Sequence, residues 1–259
     1  TDNLQATYGD FVSMYLPYDE SLVHSLAHIV GEELYRRNNM KGVTICDESF
    51  SFGCYHGFFG LALQIEGDKV IAEAEKICQK NQSATVQLNG CMHGLGHGIV
   101  ITQGYTIDDL RISLKKCDLL SFLSQRPCYN GVFMEYNRRV PFAAYGQELG
   151  VREFNNKNPY EPCDRLPKRY KSECYIEQPA WWSVTVPGLI YKEKMTNIGN
   201  LCDTIQEKDY QSECFSGVAR AIPLGTDLNK AQNDLEMYCM LMPSENGRQF
   251  CIESAIQIL

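Results

Sequence analysis

Twelve cysteines in six short-range pairs constrain this chain more than any other feature. The pairs are Cys46/Cys54, Cys78/Cys91, Cys117/Cys128, Cys163/Cys174, Cys202/Cys214 and Cys239/Cys251, with internal gaps of 8, 13, 11, 11, 12 and 12. The second members follow one another at 37, 37, 46, 40 and 37 residues. A near-constant period in this range marks a helical-repeat architecture. The text around the pairs repeats as well. A helical stretch such as Val70 to Cys78 runs into the first cysteine and a polar connector follows. The second cysteine then opens the next helix, as in Cys54-Tyr-His-Gly, Cys91-Met-His-Gly, Cys128-Tyr-Asn-Gly and Cys214-Phe-Ser-Gly.

Each unit therefore reads as helix A, turn, helix B, with a disulfide tying the end of A to the start of B. The expected fold is all-α: an α/α solenoid or toroid of six to seven helix-pair repeats in a single domain, 1–259. Residues 1–40, which lack cysteine, form a degenerate capping repeat around the amphipathic stretch Ser21 to Val30. Residues 41–259 hold six paired repeats, and the longest spacing places a loop insertion near 137–162. Insertions of that size are often binding loops or lids.

Zinc knuckles are the competing use of paired cysteines, but they show Cys-x-x-Cys doublets and none occurs here. Disulfides in turn place the chain in an oxidising compartment, secreted, periplasmic or at the cell surface. The sequon Asn81-Gln82-Ser83 fits such a place. Paired cysteines in helix hairpins resemble the architecture of cysteine-rich Sel1-like repeats. The Cys-aromatic-x-Gly signature differs, so the resemblance implies no function. No apolar run approaches the length of a membrane helix. The chain opens on Thr1 and polar residues, and Thr1 reads as a processed or trimmed end, a signal having been removed if the chain is secreted. A net charge of −8 argues against nucleic acid as a partner.

All five histidines lie in the first hundred residues. His56 and His93 each stand two after a second cysteine, and His97 stands six after one. His24 and His28 repeat the spacing of His93 and His97. Residues four apart share a helix face, so each such pair can bind one ion. Stacked B helices would aim all five rings at a common inner surface, where one site or a dinuclear site is possible. The expected metal ligands are His24, His28, His56, His93, His97 and Glu135, with Glu135 or Glu32 as general base in a hydrolytic version. With the thiolates consumed in disulfides, imidazole donors suit copper or zinc first and iron less. The bland alternative is that the rings cap helices or bond neighbouring repeats.

Gly57, Gly94, Gly131 and Gly217 recur three after the second cysteine, marking either close helix packing or loose helix starts. Trp181 and Trp182 read as core or as a carbohydrate or partner surface. Arg220 and Glu253 occupy histidine-equivalent positions and either line a groove or pair with each other. Two functions follow: an extracellular metal-binding protein or metalloenzyme (copper oxidoreductase or zinc hydrolase), or a non-catalytic binding protein whose concave face holds a protein or glycan partner.

Overall fold

The computed structural model describes residues 2–18, 20–81, 85–138, 152–188, 190–222 and 228–256. Among them are twelve α-helices and no strand. The chain divides into two compact units, Thr1–Gly150 and Val151–Leu259.

In the first unit α1 (Asp2–Tyr15), α2 (Glu20–Asn38), α3 (Gly53–Glu66), α4 (Lys69–Asn81), α5 (Thr85–Gln103), α6 (Ile107–Cys117) and α7 (Phe122–Asn137) follow in order, with a 3-10 segment, Asn39–Ile45, before α3. Helix α2 packs on α3, α3 on α5 and α5 on α7. Helix α3, in the middle of this row, is buried nearly all round. In α3 every residue from Gly53 to Leu63 is buried, which matches a sequence apolar on every face. Helices α4 and α6 lie over them and bury a single stripe, Val70, Ile71, Ala74 and Cys78 in one and Leu110, Leu114 and Cys117 in the other. Thr106 and Asp109 cap α6 reciprocally. Helix α1 lays Phe11, Val12 and Tyr15 over Val23, Ala27 and Phe50.

The second unit repeats the plan. Helices α8 (Lys168–Thr185), α10 (Lys208–Ala221) and α12 (Glu245–Ile256) pack in sequence, with α9 (Tyr191–Asp203) and α11 (Leu228–Cys239) against them.

All six expected disulfides form and no cysteine is free. Their Cα–Cα distances run from 5.4 to 6.4 Å, within the range a bridge requires. Each closes a short loop, which stabilises its hairpin by about 2–3 kcal/mol in the chain-entropy model. The six bridges point to an oxidising, extracellular-type compartment. No described helix is long and apolar enough to cross a membrane.

The second cysteine does not open its helix. Cys91, Cys128, Cys174, Cys214 and Cys251 each stand six residues past the helix start. Connector stretches such as Thr85-Val-Gln-Leu-Asn-Gly are already helical. Only Cys54, second in α3, lies where a cysteine-opened helix would put it.

The recurring glycines are consequently interior, and they serve close packing rather than loose starts. A Cβ on Gly57 would sit 1.9 Å from the carbonyl oxygen of His28, and one on Gly131 2.0 Å from that of His93. The approach is reciprocal: a Cβ on Gly31 would lie 2.0 Å from Cys54 O and one on Gly96 2.2 Å from Cys128 O. Gly217 meets Ile176 O at 2.1 Å in the same way.

Trp181 and Trp182 are core, both wholly buried. Their ring nitrogens donate to Arg152 O and Pro159 O, and the Arg152 guanidinium lies over the Trp181 ring. This removes the carbohydrate-surface reading. Arg220 pairs with Glu177, not with Glu253. Of the expected insertion near 137–162, residues 139–151 lie outside the described ones, as do residues 82–84 of the sequon region.

Gly57→Ala and Gly131→Ala should each lower unfolding free energy by about 3 kcal/mol, the upper part of the range for overpacking. Gly9→Ala, with nothing within 4 Å of its Cβ position, should be neutral or stabilising by up to about 1 kcal/mol. Urea denaturation without reductant measures all three.

Candidate metal centre

Helices α2, α3 and α5 each carry histidine toward one point, and the glycine contacts set how near their backbones come. Gly57 of α3 rests on the His28 carbonyl of α2, and a Cβ on Gly98 of α5 would lie 2.7 Å from Phe59 O of α3, so these helices bring their rings close with little between them. His56 on α3 lies in the middle. Its ring centroid is 5.1 Å from His24, 5.3 Å from His28, 5.2 Å from His93 and 4.1 Å from His97. The position on α3 that matches His28 and His97 is Gly60, so this helix contributes one ring.

The rings form two groups that could hold a metal ion, His24/His28/His56 and His56/His93/His97. In each group one nitrogen from every ring lies within 4.8 Å of the others, and His56 belongs to both. Within each pair the approach is closer. His28 Nε2 is 3.0 Å from His24 Nε2, and His97 Nε2 is 3.1 Å from His93 Nε2. Two imidazole nitrogens at about 2.0–2.1 Å from one ion would be about 2.9–3.4 Å apart for right-angled to tetrahedral geometry. The observed separations fall inside that window.

Two rings have their tautomer dictated from behind. His24 Nδ1 donates to the carbonyl oxygen of Phe50 at 2.7 Å. His97 Nδ1 donates to Glu135 Oε2 at 2.9 Å. In both rings the lone pair is thereby left on Nε2, the atom facing the partner histidine. Metal-bound histidines characteristically donate their other nitrogen to a carboxylate or carbonyl in this manner. The Phe50 carbonyl belongs to a left-handed run, with φ of 53° at Phe50, 51° at Ser51 and 62° at Phe52. Three successive non-glycine residues in that region are costly. Helix contacts hold the run in place: the Phe50 ring meets Phe11 edge-on, and the Phe52 ring fills the space where Gly90 has no side chain.

Burial keeps the imidazoles of His28, His56 and His97 neutral. It drives the pKa of His56 and of His97 well below the ordinary value, and the surrounding imidazoles add to the effect. Burial and then His24 bring His28 down to about 3. The contact of His97 with Glu135 is therefore a neutral N–H donating to a carboxylate. Both nitrogens of His56 are buried with no hydrogen-bond partner. A buried polar atom left unsatisfied costs about 1–3 kcal/mol.

Glu135, on α7, is wholly buried and belongs to neither histidine group. One of its oxygens accepts from His97 and the other from the Tyr105 hydroxyl at 2.6 Å. Glu32 is buried beside His28's helix face but pairs with Arg36 at 2.7 Å. It too stands outside both groups. Sequence reasoning missed Phe50 and Tyr105. Neither residue type signals a metal site, and only the folded connector brings them to it.

The depressed histidine pKa values set a pH dependence. Unfolded, His28, His56 and His97 take up protons below about 6.5, whereas in the folded chain they do so only at lower pH. The unfolded state binds more protons in that window, so stability falls as pH drops below 6.5. For His28 alone the loss between pH 7 and pH 5 is about 2 kcal/mol. Chelator-treated protein should show a lower denaturation midpoint at pH 5 than at pH 7.5, with a shallower drop in His28→Phe. No family model, no curated protein and no solved structure matches the chain.

Proposed function

We propose that this is a secreted or cell-surface metalloprotein, built as an array of disulfide-braced helix pairs, whose histidine cluster binds copper or zinc. The observation that carries the reading is His56: a fully buried imidazole, ringed by four others, with neither nitrogen satisfied by protein. Protein interiors almost never leave both ends of such a group unmade. A bound cation supplies the missing partner. All-imidazole donors suit copper, zinc, nickel or iron, and an oxidising compartment favours copper and zinc among them.

Glu135 acts here as a positioning residue that holds His97 Nδ1–H. Both of its oxygens already accept hydrogen bonds, which speaks against the role of ligand or general base. Glu32, neutralised by Arg36, is likewise a poor base. The reading that remains is chemistry on electrons or small oxygen species. Burial of His28, His56 and His97 supports it over hydrolysis of a large substrate.

Elemental analysis of protein purified from its native source tests the proposal. Copper or zinc should be present in stoichiometric amount and be lost from His56→Ala and His93→Ala. Metal-free native protein that gains no affinity from any of the five histidines would overturn it. Glu135→Ala should weaken metal affinity about 10–100-fold, the usual effect of removing a group that orients a ligand. Glu135→Gln, which keeps an acceptor oxygen, should recover part of the loss in competition titrations with a chelator.

A further inference from the structure

A single ion leaves an oddity in this cluster. The histidines are not five ligands around one centre. They form two groups of three that share one member, His56, with a different pair in each. The two pairs come from different helices: His24 and His28 from α2, His93 and His97 from α5. Each pair brings its own Nε2 atoms to chelating distance, 3.0 Å in one and 3.1 Å in the other. Each pair also has its own tautomer-setting acceptor, Phe50 O on one side and Glu135 on the other. The duplication extends to the supporting groups. It does not stop at the rings.

The shared residue has the matching property. An imidazole carries two nitrogens on different edges of the ring, and in His56 both are buried without a hydrogen-bond partner. One ion bound through His56 would satisfy one of them and strand the other. Two ions satisfy both.

We infer that the site is dinuclear, with His56 as a bridging imidazolate between one ion held by His24 and His28 and a second held by His93 and His97. This rests on the metal-binding reading above and adds the number of ions and the bridge. Each ion then has three imidazole nitrogens, and a fourth position is left for water or a small exogenous ligand, the arrangement of catalytic rather than structural sites. Forming the bridge removes the one N–H proton that neutral His56 carries. That proton passes to solvent, and no electron is transferred. The resulting ring anion lies between two divalent cations, which offset its charge in the buried setting.

Titration of the intact, disulfide-bonded chain with Cu(II), followed by electron paramagnetic resonance, tests the bridge. Two coppers should bind per chain, and in the fully loaded protein most of the signal expected from two isolated Cu(II) ions should be missing, because an imidazolate couples the two spins. His24→Ala/His28→Ala should bind one copper with its full signal. His56→Ala, if it folds, should regain a signal matching all the copper it binds. A saturating stoichiometry of one copper overturns the dinuclear site while leaving a metal centre. Two coppers with undiminished signal overturn the bridge. Absence of any copper or zinc binding that depends on the histidines overturns the metal-binding reading itself.

Discussion

The site depends on glycine. Backbones of packed helices are ordinarily held 8–10 Å apart by their side chains. Here Gly57 and Gly31 on one interface, and Gly131 and Gly96 on another, let a carbonyl occupy the space a methyl group would need. Two of those carbonyls belong to His28 and His93 themselves. The same contacts that draw α2 toward α3 and α5 toward α7 thus fix the residues that carry the rings. The short imidazole side chain has little reach, so a backbone shift of even an ångström would draw the His56 ring away from the rings of α2 and α5, whose centroids now lie 4.1–5.3 Å from it.

Such a centre is expensive to fold. It buries three neutral imidazoles, leaves both nitrogens of His56 unpaired, and relies on a left-handed connector at Phe50–Phe52. The disulfides offset this cost by restricting the unfolded chain rather than by adding contacts. Two of them, Cys46–Cys54 and Cys78–Cys91, join the histidine-bearing helices α3 and α5 to the elements just before them. Metal binding would supply the rest, since an ion that binds only the folded state stabilises it by mass action.

Much of the covalent and helical plan was legible beforehand. Cysteine spacing sufficed for all six pairings, because residues 8 to 13 apart across a helix turn meet without long-range information. Helix starts were not legible: a polar connector is compatible with a turn or with a solvated first helical turn, and tertiary packing chose the latter. The convergence of His24, His28, His56, His93 and His97 was readable from their equivalent positions. The part played by Glu135 was not. Its oxygens accept from His97 and Tyr105, contacts set by the packing of α7 on α5 that local spacing does not record. Arg220 turned to Glu177 for a similar reason.

Sequence by itself determined which cysteines pair, that the chain is helical, and which five side chains share a register, since all three are properties of local spacing. Tertiary structure alone decided how closely those helices approach, which atom each imidazole presents, and that His56 is held in common by two groups. Those are matters of a few tenths of an ångström and of hydrogen-bond partners distant in the chain, and periodicity carries no record of either.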